Sequence, residues 1–332
     1  MRRRPTDAQH QETRMTIEKA LRLDIEKPWG CIDRGRWAGH STAHDMIGET
    51  WFQRPNAVDV EPELLVKLLY TSQRLSIQVH PDDASARAMG LRNGKTEAWY
   101  VLAAAPGAEV AVGLKRPITD AELRVSIVDG SIESLIRWRP VKVGEFAFVP
   151  AGTIHAIGAG LVLAEIQQRS DTTFRLFDYG RGRELQIASA LAVARAEVAP
   201  SQAGSLRLSQ ARTLLLADPH FVIEHLDLPG HSAWRLFAEH ETWLLGIAGE
   251  ALVGEVGFTM GESLYLQEQQ ATLQVGASGL RALVAYVGGA SDPMLLTEID
   301  LKTETSPVAR VPPLSNPGRL PPAMANTPED AQ

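Results

Sequence analysis

Apolar and polar positions alternate over short stretches of this chain. Runs rich in valine, isoleucine, leucine and aromatic residues recur between glycine and proline punctuation, as at Trp99 to Ala103, Glu109 to Leu114, Phe146 to Val149 and Leu161 to Ile166. Many short strands of this kind predict a β-barrel or sandwich. Helical periodicity is confined to Pro62 to Leu69, Asp83 to Met89, Thr119 to Ile136 with a break at Gly130, and Arg183 to Ala194. These read as decorations on a β scaffold, with Asp82-Asp83 capping the helix that runs to Met89. In Ser76-Ile77-Gln78-Val79-His80-Pro81 an extended strand points Ser76, Gln78 and His80 one way, and Ile77 and Val79 the other. One face is polar and the other is core.

After a break near Val198 to Ser205 the pattern returns in weaker form. The first half carries Glu97-Ala98-Trp99-Tyr100-Val101-Leu102 and later Gly144-Glu145-Phe146; the second carries Glu241-Thr242-Trp243-Leu244-Leu245-Gly246 and later Gly261-Glu262-Ser263. This predicts duplication of a β unit. The expected organisation is a flexible tail over 1–14, a first domain over 15–200, a second over 201–302, and a proline-rich flexible tail over 303–332.

Composition narrows the picture. With 332 residues, 44% of them hydrophobic and 22% charged, the chain has material for two sizeable cores. Its net charge of -7 and dispersed tryptophans disfavour a nucleic-acid partner. The single cysteine, Cys31, forms no internal disulfide, which fits a reducing cytoplasm. Met1-Arg2-Arg3-Arg4-Pro5 is basic, but Thr6 to Arg14 is polar where an export signal needs an apolar stretch. No run of about 18 apolar residues appears, so a soluble protein with no membrane partner is expected. No obligate protein partner is evident.

The candidate chemistry is a scattered quartet of Gln78, His80, Glu97 and His155. Two neutral imidazoles, a carboxylate and an amide suit one divalent metal and leave a bound Zn²⁺ residual positive charge with which to polarise a substrate oxygen. In the second half Gln267, Gln269 and Thr272 stand at the offsets from Gly261 that Pro150, Gly152 and His155 occupy from Gly144, so the metal histidine is missing there. His220, His225, His231 and His240 lack metal-like spacing and read as structural or exposed.

Gly144-x5-Pro150-x-Gly152-x2-His155 resembles the second motif of the cupin superfamily, small β-barrels with a metal in the mouth. Gln78-x-His80 stands where the first motif usually has His-x-His, and Glu97 follows after an insertion. Gln78-Val79-His80-Pro81-Asp82-Asp83, Gly94-Lys95-Thr96-Glu97, Val149 to His155, and Glu165-x4-Ser170-Asp171-x3-Arg175 together resemble the type I mannose-6-phosphate isomerases of the short bacterial branch. Lys27-Pro28-Trp29-Gly30 and Asp178-Tyr179-Gly180-Arg181 support the resemblance, which covers about residues 24 to 195 strongly and the rest weakly.

The resemblance implies a mainly β fold of two cupin-like (jelly-roll) barrels with helical embellishments. It also implies one Zn²⁺ per chain on Gln78, His80, Glu97 and His155, and interconversion of mannose 6-phosphate and fructose 6-phosphate through an enediol, feeding or draining mannose for glycoconjugates such as those made through GDP-mannose. Gln78 either ligates directly or orients a water. Glu165, sharing strand parity with Leu161 and Leu163, is a candidate base or else a salt-bridge partner of Arg169 or Arg175. Lys95 is the rival for acid or base work if desolvation lowers its pKa; otherwise it binds phosphate or hydroxyl. Arg175 is implied at the active site, either stabilising the enediolate or gripping substrate oxygens, while Arg169, Arg181 and Arg183 cluster nearby in sequence. Ser76 either donates to substrate or caps a backbone group. The alternatives are a metal cupin acting on another sugar phosphate, an iron dioxygenase, and a sugar-binding cupin without catalysis.

Overall fold

The computed structural model describes residues 17–39, 45–55, 61–199 and 204–300; the tails expected at 1–14 and 303–332 lie outside them. Over the described residues the fold is mainly β, arranged in three antiparallel sheets, none of which closes into a barrel. A six-stranded sheet runs in the order Leu21–Cys31, Ile47–Gln53, Leu64–Thr71, Leu161–Gln168, Glu97–Ala104, Phe146–Val149. A five-stranded sheet runs Phe174–Phe177, Ile77–Val79, His155–Ile157, Glu109–Leu114, Ile136–Pro140. The ten-stranded sheet takes nearly all its strands from beyond residue 205, with Glu18–Lys19 at one edge.

Four apolar clusters order these sheets into layers. Leu69, Trp99, Val101, Val110, Ile157 and Leu163 fill the space between the five- and six-stranded sheets. The opposite face of the six-stranded sheet, with Leu64, Val66, Leu68 and Tyr70, meets Phe221, Ile223, Trp243 and Leu283. The outer face of the five-stranded sheet, with Ile77 and Val79, is covered by Leu123 and Ile127 of the helix Asp120–Asp129 and by Ala190 of the helix Ile187–Val193. A separate core, including Leu226, Phe258, Leu264 and Val284, lies within the later segment.

Local signals explain most elements. Asp82 caps the helix Asp83–Ala88, accepting from Ser85 N at 2.8 Å. Thr119 and Glu122 form a reciprocal capping box at the start of Asp120–Asp129, which ends at Gly130 with φ 78°. The predicted helix at Pro62 to Leu69 is instead the strand Leu64–Thr71, buried along its whole length. Leu-Leu-Val-Lys-Leu-Leu-Tyr satisfies helical spacing only because almost every position is apolar, and a central strand with both faces covered demands the same composition.

The two halves share a turn. Gly144 N donates to Val101 O and Val101 N to Glu145 O, each at 2.9 Å; Gly261 N donates to Gly246 O at 2.9 Å and Gly246 N to Glu262 O at 3.0 Å. This correspondence sets Thr242, not Glu241, opposite Glu97, a register one residue away from the sequence match. A one-residue slip reverses faces. Trp99 accordingly fills the interior of the first half, whereas Trp243 packs in the layer between the halves.

Glu241 acts in that layer. Its carboxylate accepts from Glu63 N at 2.6 Å, Leu64 N at 2.9 Å and the Trp243 indole at 2.9 Å. Removing the acceptor strands three donors, so Glu241→Leu is expected to destabilise the protein by about 2–3 kcal/mol, read from the denaturant midpoint.

Candidate metal centre

Two rows of side chains face each other across the space between the five- and six-stranded sheets. In the first sheet Gln78 pairs with His155 on one side and Arg175 on the other. In the second, Lys67 pairs with Glu165 and Glu165 with Trp99. The alternation read from the sequence holds: Ile77 and Val79 sit in the outer cluster, while Ser76 and Gln78 line the cavity between the rows. Glu165 shares its face with Leu161 and Leu163, as its parity predicted.

His80, Glu97 and His155 are fully buried, and one donor atom from each lies within 4.8 Å of the others. His80 Nδ1 donates to Thr172 O at 2.9 Å and His155 Nδ1 to Thr153 O at 2.8 Å. A carbonyl only accepts, so both rings carry their proton on Nδ1 and turn the Nε2 lone pair toward Glu97. The Nε2 atoms stand 3.4 and 3.3 Å from the two Glu97 oxygens. His80 Nε2 and both carboxylate oxygens lack any hydrogen-bond partner; Lys95 Nζ approaches Glu97 at 3.2 Å as an ion pair outside hydrogen-bond geometry. Buried polar atoms are ordinarily satisfied. Three orphaned lone-pair donors converging on one point fit a divalent cation, and imidazole with carboxylate suits zinc among others.

Gln78 is the fourth member of the predicted quartet. Its Nε2 lies 3.3 Å from His155 Nε2, and its Oε1 accepts from Ser76 Oγ at 3.1 Å. Ser76 therefore orients the amide, a role the sequence did not suggest.

The cavity beside the triad, of about 110 Å³, is lined by charge: Lys27, Lys67, Lys95, Arg175 and Arg183 against Glu49, Glu165 and Asp171. Glu165 bonds Lys67 Nζ at 3.0 Å and the Trp99 indole at 3.0 Å, not Arg169 or Arg175 as the sequence suggested. Arg169 turns away to Gln53 and Leu64 O. Burial pushes the Glu165 carboxyl above its ordinary pKa, with Lys67 pulling the other way. Glu49 is also buried, but Lys67 and Lys27 outweigh that burial and hold it low. Lys95 behaves opposite to the desolvation argument: burial favours the neutral amine, yet Glu97, Glu165 and Glu49 prevail and raise its pKa. Lys95 is a resident cation here.

Of the clustered arginines, Arg175 and Arg183 reach the cavity. Arg175 Nε has no partner, while Arg183 is held by Asp178 at 2.5 Å. Arg181 is spent on Asp178 and Arg74 O. Sequence reasoning missed Lys67 and Glu49; a lone lysine inside Leu64-Leu65-Val66-Lys67-Leu68-Leu69 was the available signal.

Burial, aided by Lys95, lowers the His80 pKa from 6.5 to about 3, and burial lowers that of His155. Both imidazoles stay neutral in the fold while the unfolded chain protonates them. Metal-free protein is therefore expected to lose stability as the pH falls from about 6.5 toward 3. Thermal melts in chelator across that window check this, and His80→Gln should flatten the dependence.

No protein-family profile matches the chain. It is 39% identical over 176 residues to a mannose-6-phosphate isomerase of Streptococcus mutans, covering 50% of this chain and 55% of that protein. It is 42% identical over 137 residues to mannose-6-phosphate isomerase ManA of Bacillus subtilis, covering 39% and 43%. The chain thus spans about half the length of the curated relatives it matches. The crystal structure of the mannose 6-phosphate isomerase from Bacillus subtilis superposes with a TM-score of 0.73 at 25% identity, covering 82% of this chain and 100% of that one. By sequence over about half its length and by fold over most of it, the chain is a homologue of proteins named mannose-6-phosphate isomerase.

Proposed function

We propose that this protein is a zinc-dependent isomerase that interconverts mannose 6-phosphate and fructose 6-phosphate through an enediol. The observation that carries the reading is the convergence of His80, Glu97 and His155, with His80 Nε2 and both Glu97 oxygens unpartnered among the described residues, beside a buried lysine–glutamate pair in a cavity lined by charge. His80, Glu97 and His155 hold the zinc. Gln78 joins them through its oxygen, since the reversed amide is isosteric and lets Nε2 donate to Ser76 Oγ. The bound metal supplies Lewis acidity toward the negative charge that develops on the sugar oxygens.

The chain's own groups do the rest. Glu165 takes the carbon-bound proton at one carboxylate oxygen and returns it to the neighbouring carbon; its raised pKa suits a base that must also give the proton back. Lys67 fixes the orientation of that carboxylate. Lys95, kept protonated, stabilises charge on substrate oxygen, and Arg175 with Arg183 receives the phosphate. Each half is read as a cupin-like unit, the second without metal ligands. A free Cys31 accords with work in the cytoplasm, and none of the described helices is long and apolar enough to cross a membrane.

The test is isomerisation of mannose 6-phosphate by purified protein, before and after chelation and with zinc restored. Activity should vanish on chelation and return with zinc; iron content with oxygen consumption, or no turnover by zinc-loaded protein, defeats the proposal. Glu97→Ala should lose metal and activity together, whereas Arg175→Ala should keep the metal and lose turnover. With Glu165 as the base, the acid limb of kcat/KM lies above the usual carboxylate range. Lys67→Met removes a charge that lowers the Glu165 pKa, so it should move that limb to higher pH.

A further inference from the structure

We infer that Asp83 and Gln168, neither of which lines the cavity, form a clamp that positions Glu97 for metal binding. This rests on the reading of His80, Glu97 and His155 as metal ligands. Of the acidic pair after Pro81, only Asp82 caps the helix. Asp83 reaches across instead: its Oδ1 accepts from Gly94 N at 2.8 Å and from Gln168 Nε2 at 3.0 Å. Gln168 completes the bridge, accepting from Thr96 N at 2.9 Å through Oε1 and donating its backbone N–H to Thr96 O at 3.1 Å.

Glu97 is paired with Gln167 on one side and Val149 on the other, and the bridge fixes the chain that leads into it. Glu97 is the first residue of its strand, and 89–96 before it belong to no helix or strand. Their path is fixed by a few bonds. Gly90 N and Leu91 N donate back to Arg87 O and Ala86 O, Asn93 Nδ2 donates to Arg169 O at 3.4 Å, Lys95 N donates to Pro81 O at 2.9 Å and Thr96 Oγ1 accepts from Ala151 N at 3.3 Å; Asp83 and Gln168 hold the amides of Gly94 and Thr96. A Cβ on Gly94 would stand 2.6 Å from Asp82 C and Asp83 N, so the loop is pressed against the chain that leaves His80. The clamp thus joins the segment after His80, the segment before Glu97 and the end of the strand that carries Glu165. Ligand atoms must be held to within a few tenths of an ångström for tight binding, and groups behind the ligands carry part of the affinity.

The experiment is Zn²⁺ titration against a chromophoric chelator, with thermal melts alongside, on the wild type, Asp83→Ala, Asp83→Asn, Gln168→Leu and Asp82→Ala. Asp83→Ala and Gln168→Leu should weaken zinc binding by about 10- to 100-fold. Asp83→Asn keeps the Oδ1 acceptor and should restore most of the affinity. Asp82→Ala, which removes the adjacent helix cap, should lower the Tm and leave zinc affinity unchanged. Wild-type affinity in folded Gln168→Leu, or an equal loss in Asp82→Ala, overturns the clamp. Wild-type protein that binds no zinc overturns the ligand reading itself, and the clamp with it.

Discussion

A carboxylate buried without hydrogen-bond donors is the constraint on which this structure turns. Glu97 is fully enclosed between two sheets, and burial alone opposes its ionisation; the Lys95 ammonium foremost outweighs that penalty and holds its pKa well below the ordinary value. Such a charge is tolerable only where opposite charge is fixed close by. The apolar layer of Trp99, Leu163 and Ile157 packed between the same sheets lowers the local dielectric and strengthens the electrostatic interactions beside it. Packing and chemistry are therefore one requirement here.

Antiparallel pairing delivers that requirement with little dependence on loops. Arg175, Gln78 and His155 occupy one cross-strand row and Lys67, Glu165 and Trp99 another. Residues far apart in sequence come together because each row follows the ladder. Glu97 is paired with Gln167 and Val149, but it stands at the first position of its strand and is approached from irregular chain.

The candidate metal ligands were legible in the sequence because short motifs with fixed local geometry carry them: alternation around Gln78, the Gly-Pro-Gly turn before His155, and a cap at Asp82. Lys67 was not legible, since its run Leu64 to Leu69 is apolar at nearly every position and its period is undefined. Nor were the salt-bridge partners of Glu165, because cross-strand neighbours are set by register. The repeat was legible as a pattern but was read one residue out of register. Glu241 and Trp243 match Glu97 and Trp99 in letters, yet the turn hydrogen bonds align Thr242 with Glu97, and alternation sends the tryptophans to opposite faces.

That misplaced glutamate ties the later half to the sheet behind the candidate site. Glu241 holds the first amides of the strand that carries Lys67, and Phe221, Ile223, Trp243 and Leu283 cover the back of the same sheet. A fragment ending near residue 199 would keep all four members of the candidate quartet and still present a bare apolar sheet to water, a template for self-association. The smallest unit that folds on its own is thus larger than the segment that carries the candidate site, because the later half covers the apolar face behind it.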